Sequence, residues 1–116
     1  MLLYVEDEII VSMVVLMALE DAGFEVLHML DGRAGVEALE SRPENLQALV
    51  TDVRLPEIDG WEIARRAREL NPDLPVIYVT GDSGADWRFE GVSGSVLLQK
   101  PFANSKLVAT LNRLLD

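Results

Sequence analysis

The sequence predicts an α/β domain in which a parallel sheet carries helices on both faces. Short apolar runs alternate with longer helical stretches, and five such pairs follow one another at regular spacing. Polar residues stand where the apolar runs end. A chain of 116 residues is the usual size of one domain, and we assign residues 1–116 to it.

Five short runs are interpreted as strands, because strands covered on both faces lack polar alternation. They are residues 2–5, 24–30, 46–51, 75–79 and 95–99. Asp52 follows the third run and Thr80 the fourth. Right-handed crossovers then place helices on both sides of the sheet.

The first two helices have clear start and stop signals. One is expected at about residues 8–22, with Gly23 as its C-terminal stop. The next begins at Asp31 or Gly32 and ends before Pro43, since the residue before a proline avoids the helical region.

Three more helices are expected in the second half. One follows the loop at residues 54–60 and ends at the break beginning with Asn71. A fourth should lie within residues 81–95, which hold four of the eight glycines, so we expect it to be short or mobile. Asn104 or Ser105 is the expected N-cap of the last helix.

Composition excludes several classes of function. Ten Lys plus Arg against twenty Asp plus Glu give a net charge of −10, so no nucleic-acid partner is expected. The absence of cysteine excludes disulfide scaffolds and cysteine-based zinc sites. The longest apolar stretch, residues 9–19, is about half of the roughly 20 residues that a membrane span needs, and acids precede it. We therefore expect no membrane partner and a cytoplasmic location.

Chemically active side chains follow the predicted strands at one edge of the sheet. They are Glu6, Asp7, Asp52, Thr80 and Lys100. The carboxyl ends of parallel strands meet, so these residues should converge. Crowded carboxylates favour a cation, and oxygen ligands suit a hard divalent ion such as Mg²⁺. A metal, a carboxylate and groups that hold an anion are what phosphoryl transfer requires.

Four motifs together resemble the receiver domain of bacterial two-component response regulators, and the resemblance covers the whole chain. They are Val5-Glu6-Asp7-Glu8, Thr51-Asp52-Val53-Arg54-Leu55-Pro56 with Asp59-Gly60, Val79-Thr80-Gly81, and Lys100-Pro101-Phe102. The resemblance implies a (βα)5 flavodoxin-like fold with strand order 2-1-3-4-5. It also implies a signalling domain, not an enzyme, that catalyses only its own phosphorylation and slow dephosphorylation.

The resemblance implies a role for each matching acid. Asp52 is the expected phosphoacceptor, a nucleophile that forms an aspartyl phosphate. Asp7, Asp52 and the backbone carbonyl of Arg54 are the expected Mg²⁺ ligands, and Glu6 is expected to act through water. Glu8 is interpreted instead as a charged, solvated helix start.

The resemblance also assigns the groups around the phosphoryl oxygens. Lys100 is expected to pair with one of them, aimed by a cis peptide bond at Pro101. Thr80 is expected to donate its hydroxyl. The family's common switch has an aromatic residue three positions before the lysine, but this sequence has Leu97 there. The usual aromatic coupling is therefore not expected here.

The implied partners are a histidine kinase or a histidine phosphotransfer protein as phosphodonor, and a downstream protein target. Because no output module follows the last helix, we expect the output to lie in another chain. The apolar excess of residues 9–19 is a candidate surface for the donor, although most of it should be core. Trp87 and Phe89 are candidate contacts in a segment that orders on phosphorylation or partner binding. His28 falls in a strand pattern and is interpreted as structural.

Two other classes of function compare with this interpretation, and only the first remains an alternative. A pseudo-receiver would keep the fold as a phosphorylation-independent interaction module, which Leu97 allows and the intact acids and lysine disfavour. A metal-dependent phosphatase with an aspartate nucleophile would need a second acid two positions after Asp52. That position is Arg54, which cannot protonate a leaving group.

Overall fold

In the computed structural model, which describes residues 1–82 and 84–116, five parallel strands form one sheet in the order β2-β1-β3-β4-β5. The strands are β1 Leu2–Val5, β2 Val26–Met29, β3 Ala48–Asp52, β4 Val76–Thr80 and β5 Val96–Gln99. The predicted architecture and strand order are confirmed. The register pairs Val5 with Thr51 and Asp52 with Val79, so the carboxyl ends of the central strands lie side by side.

The helices are α1 Ile9–Asp21, α2 Gly32–Ser41, α3 Gly60–Leu70, α4 Trp87–Glu90 and α5 Asn104–Leu115. Short 3₁₀ turns occupy Pro43–Asn45 and Gly84–Asp86. The fourth helix has only four residues, which confirms that it is short. Its mobility stays a prediction, and Ser83, which lies within the predicted segment, is outside the described residues. No helix within the described ranges is long and apolar enough to cross a bilayer.

Two hydrophobic layers enclose the sheet, and alternate strand residues supply them. Leu3 and Leu49 pack with Ile63 on the side of α2 and α3. Leu2 and Val50 pack with residues of α1 and α5 on the other side. Each fully buried aliphatic side chain contributes about 1.5–3 kcal/mol to folding. The central strands are thus fixed from both faces, which gives the site at their ends a rigid base.

Helix α1 carries apolar residues on two opposite faces, as its sequence predicted. Val15 and Leu19 are buried against the sheet and α5. The solvent-facing stripe, which we call the α1 stripe, consists of Ile9, Ile10, Met13, Val14 and Met17. Each of these five side chains is more than half exposed. Core packing therefore accounts for only one face of this helix.

Most of the predicted helix ends agree with the structure. The Asp31 carboxylate accepts a hydrogen bond from the Ala34 N–H at 2.8 Å and caps α2. Gly23 ends α1 with a φ of 95°, and the N–H of Phe24 donates to the Leu19 carbonyl at 3.1 Å. Because Phe24 takes part in this helix end, β2 starts two residues later than predicted.

The predicted cap of α5 was wrong. Ala103 occupies the N-cap position and makes no side-chain cap, while Asn104 is already the first helical residue. The N–H of Lys106 donates to the Ala103 carbonyl at 2.9 Å, so a tight backbone turn satisfies one donor of the first turn. A side-chain acceptor at Asn104 or Ser105 is thus not used as the cap.

Candidate functional site

A cleft of about 400 Å³ opens where the carboxyl ends of β1, β3, β4 and β5 meet. It is lined by Asp7, Glu8, Asp52, Arg54, Thr80, Gly81, Asp82 and Lys100. Glu6 lies beneath it with 1% of its surface exposed. The structure therefore brings the site residues predicted from the sequence to one place, and it adds Glu8.

Lys100 joins the acidic groups of the cleft. Its Nζ donates to Glu6 Oε1 at 3.1 Å and to Asp52 Oδ2 at 3.2 Å. Glu8 Oε1 lies farther away, at 3.9 Å. Burial alone would lower the pKa of Lys100, but the hydrogen bond to Glu6 and the charge of Asp52 outweigh it and raise that pKa. The lysine is thus held in its charged form beside Asp52.

Glu6 is the buried partner of this lysine. Burial and the nearby Asp52 carboxylate raise the pKa of Glu6. The Glu8 N–H, which donates to Glu6 Oε2 at 3.2 Å, and Lys100 act in the opposite direction. A buried carboxylate is tolerated only when such partners compensate its lost hydration. Both oxygens of Glu6 are therefore already engaged by the chain itself.

Three carboxylates form a donor set suited to a hard cation. Ligand oxygens of Glu6, Glu8 and Asp52 all lie within 4.8 Å of one another. Such an all-oxygen set fits Mg²⁺, which prefers carboxylates and water. Asp7 is exposed and borders the cleft, but it is not part of this three-oxygen cluster among residues 1–82 and 84–116.

Glu8 belongs to the cleft, although its position before the first helix predicted only a solvated helix start. Its backbone holds the N-cap position of α1, but its side chain makes no cap hydrogen bond and instead approaches Lys100. The signal that could have identified it is its spacing from Glu6. The turn after β1 brings residues two apart together, as the Glu8 N–H to Glu6 hydrogen bond shows.

The loop after β3 presses against the backbone of Asp52 at Gly60. A Cβ on Gly60 would overlap the Asp52 carbonyl oxygen and lie 2.9 Å from Val53 Cα. The Gly60 N–H donates to the Val53 carbonyl at 2.8 Å. Asp59 caps α3 by accepting from the Glu62 N–H at 2.9 Å. The Asp59-Gly60 pair thus fixes the loop that carries Arg54.

An ion pair spans the outer part of the cleft. Arg54 Nε donates to Asp82 Oδ1 at 2.9 Å, and both side chains are well exposed. The hydrogen bond and the charge of Asp82 raise the pKa of Arg54. Thr80 lies below, buried, and its Oγ1 accepts from the Asp82 N–H at 3.3 Å. An exposed ion pair of this kind contributes little to the free energy of folding. Its relevance to the site is that both residues line the cleft.

His28 is placed as the strand pattern predicted. It lies in β2, its Nε2 is 3.0 Å from the Glu6 carbonyl oxygen, and its ring stacks on Tyr4 with centroids 5.3 Å apart. These contacts support a structural role beneath the cleft. The Lys100–Pro101 peptide bond is cis, as expected.

The family follows from comparison with known sequences. The sequence model described as the response regulator receiver domain matches residues 2–112. The chain belongs to this family. Receiver domains bind Mg²⁺ at an acidic site and interact with histidine kinases or phosphotransfer proteins. The acidic cleft of this receiver domain is consequently the candidate functional site.

Curated relatives are similar over almost the whole chain. The response regulator receiver protein CpdR of Brucella abortus is 34% identical over 116 residues, which cover 98% of this chain and 95% of that protein. The transcriptional regulatory protein QseB of Haemophilus influenzae is 33% identical, over 98% of this chain but 52% of that protein. This receiver domain therefore spans about half the length of its relatives among the transcriptional regulators.

Solved receiver structures share the fold closely. A receiver protein from Sinorhizobium medicae has a TM-score of 0.94 and 36% identity, covering 98% of this chain and 92% of that chain. The receiver domain of the sensor histidine kinase PA1611 from Pseudomonas aeruginosa has a TM-score of 0.85 and 27% identity, covering 98% and 95%. That second structure has a magnesium ion coordinated in its active-site cleft.

Gly60→Ala is expected to destabilise the protein by roughly 1–3 kcal/mol, because the added methyl group overlaps backbone that cannot move independently of Asp52. Urea unfolding measures the change. Gly81→Ala is the matched control, since a Cβ at Gly81 meets nothing within 4 Å. Equal stability of the two variants would contradict the proposed close approach at Gly60.

Proposed function

We propose that this receiver domain takes a phosphoryl group from a phosphohistidine onto Asp52, in the cytoplasm and with Mg²⁺, and signals through protein contacts. The observation that carries the proposal is the Lys100 ammonium, 3.2 Å from Asp52 Oδ2 in a cleft bordered by further acids. A carboxylate nucleophile beside a fixed cation is the arrangement that stabilises an incoming phosphoryl group.

The transfer step forms one bond and breaks one. A carboxylate oxygen of Asp52 forms a P–O bond as the P–N bond to the donor imidazole breaks. The proton on the other ring nitrogen lets the imidazole leave as a neutral ring. Lys100 pairs with one phosphoryl oxygen, and the Thr80 hydroxyl donates to another. Slow attack by water on the aspartyl phosphate then returns the free carboxylate.

The donor set of the cleft fits the metal that this step needs. The residues that would hold Mg²⁺ are Asp7, Asp52 and the Arg54 carbonyl, with Glu6 acting through water. Glu8 joins this set because its carboxylate lies beside those of Glu6 and Asp52. When bound, the ion would supply positive charge that stabilises the phosphoryl group during transfer.

The phosphodonor is proposed to dock on the α1 stripe. A groove of about 350 Å³ runs beside it, lined by residues of α1 together with Lys100, Pro101, Phe102 and Asn104. Lys100 also lines the cleft, so the groove and the cleft are neighbours. An apolar helix surface on the donor would cover the stripe while its histidine enters the cleft.

Incubation with acetyl phosphate and Mg²⁺ is expected to add one phosphoryl group to the parent and none to Asp52→Asn. Intact-mass analysis measures the adduct. Asp73→Asn, in an exposed turn away from the cleft, is the control and should behave as the parent does. If the parent gives no adduct and no Mg²⁺-dependent change in Trp61 or Trp87 fluorescence, the pseudo-receiver interpretation replaces this one.

Arg54→Ala is expected to shorten the lifetime of the phosphorylated form a few-fold. The Arg54–Asp82 pair lines the cleft and, in this proposal, hinders an attacking water, so its loss should speed hydrolysis more than it affects phosphorylation. Loss of the adduct with time, followed by mass, measures the rate. Arg33→Ala is the control, because its 3.0 Å pair with Glu57 lies outside the cleft lining. An unchanged lifetime of the phosphorylated form in Arg54→Ala would show that the ion pair does not hinder the attacking water.

Met13→Lys is expected to slow transfer from a phosphorylated histidine phosphotransfer domain at least tenfold, because it places a charge in the middle of the α1 stripe. Transfer from acetyl phosphate, which needs no docking surface, should not change. Phe89→Lys is the control, since Phe89 is also apolar and is even more exposed, at 85% against 58% for Met13, but lies on α4. Equal slowing by both variants, or none by Met13→Lys, would exclude docking on the stripe.

A further inference from the structure

The chain between α4 and β5 is held by a small hydrogen-bond network. The N–H of Val92 donates to the Tyr78 hydroxyl oxygen at 3.1 Å. The Ser95 hydroxyl donates to the Val92 carbonyl at 2.6 Å, and the indole N–H of Trp87 donates to Ser95 Oγ at 2.9 Å. We call this set of four residues the Val92 network. Both backbone groups of Val92 are thereby engaged, one of them by a residue of β4.

Tyr78 connects this network to the strand that ends in the site. It stands two residues before Thr80 in β4, so the two side chains lie on the same face of the sheet. Tyr78 is fully buried, and its ring packs on Trp61 with centroids 4.6 Å apart. A ring fixed in this way cannot swing freely. The backbone of β4 and the hydroxyl that accepts from Val92 are therefore joined by one buried ring.

Tyr78 also stands beside the position that departs from the family pattern. Its partner across the β4–β5 pair is Leu97, which is partly buried against the same core layer. Leu97 has no polar group that could form a hydrogen bond with residues 84–95. The Tyr78 hydroxyl supplies such a group from the neighbouring strand.

Residues 84–95 contain little regular structure that would fix their position. The four residues of α4 are too few to form a stable helix on their own. Trp87 and Val92 pack, partly buried, against the core layer of α2 and α3, whereas Phe89 is 85% exposed. The hydrogen bond from Val92 to Tyr78 adds to this packing and ties the segment to β4.

We propose that Tyr78 is a positioning residue that couples Thr80 to the segment of residues 84–95 through the Val92 network. The proposal rests on the proposed function, in which the phosphoryl group on Asp52 draws the Thr80 hydroxyl towards it. That movement shifts the end of β4 and the Tyr78 hydroxyl. The hydrogen bond to Val92 then changes, and the segment that presents Phe89 changes its exposure.

Amide hydrogen exchange of residues 84–95 tests the coupling, measured before and after treatment with acetyl phosphate and Mg²⁺. In the parent, we expect phosphorylation to change exchange in this segment several-fold. In Tyr78→Phe, which removes only the hydroxyl, exchange should be faster from the start and should no longer respond. The phosphoryl adduct on Asp52, followed by intact mass, should form as in the parent.

Ser95→Ala is the matched control. It removes the side-chain hydrogen bonds to Trp87 and Val92 but leaves the Ser95 N–H bond to the Val92 carbonyl and the Tyr78–Val92 bond, so it should loosen the segment while keeping the response to phosphorylation. A full response in Tyr78→Phe, or no response in a parent that carries the adduct, would overturn the coupling alone. A parent that forms no adduct would overturn the proposed function, and this inference with it.

Discussion

The Lys100 ammonium lies between the carboxylates of Glu6 and Asp52, and the rest of the site depends on this arrangement. Two buried carboxylates this close repel each other strongly unless a positive charge lies within reach. The lysine supplies that charge from a position 94 residues away from Glu6. Its hydrogen bonds therefore connect the carboxyl ends of β1, β3 and β5. The sheet must be fully assembled before the acids can be held together.

The backbone around Asp52 imposes a second constraint. Packing from both hydrophobic layers fixes β3, and Gly60 presses on the carbonyl of its last residue. A nucleophile that must meet a phosphorus atom in line gains from such rigidity, because small displacements cost much of the rate. The described residues after β4 are attached by the exposed Arg54–Asp82 ion pair, by the partly buried Trp87 and Val92, and by the Val92 network.

Much of this arrangement could be predicted from the sequence because the strands are buried on both faces. Strands such as residues 2–5 and 46–51 can be recognised from their apolar residues. In a parallel sheet, the residues that follow these strands lie together at one edge. Asp52, Thr80 and Lys100 were identified in this way. The prediction of strand order came from the four motifs, since apolar periodicity does not say which strands are neighbours.

What the sequence did not reveal depends on local geometry. Glu8 can cap a helix or turn towards Lys100, and only the packed turn decides between them. Whether α5 has a side-chain cap depends on the residue at which the helix begins after Pro101, and that residue is Asn104. The Tyr78–Val92 bond joins a strand to an irregular loop, and no periodic pattern describes a loop's path.

The two apolar faces of α1 have a consequence for handling the protein. A net charge of −10 keeps copies of the chain apart at neutral pH by mutual repulsion. Near the isoelectric point of about 4.4 that repulsion vanishes, while the α1 stripe keeps its attraction for other apolar surfaces. Colloidal stability should then be lowest in mildly acidic buffer, and precipitation there would reflect surface chemistry rather than unfolding.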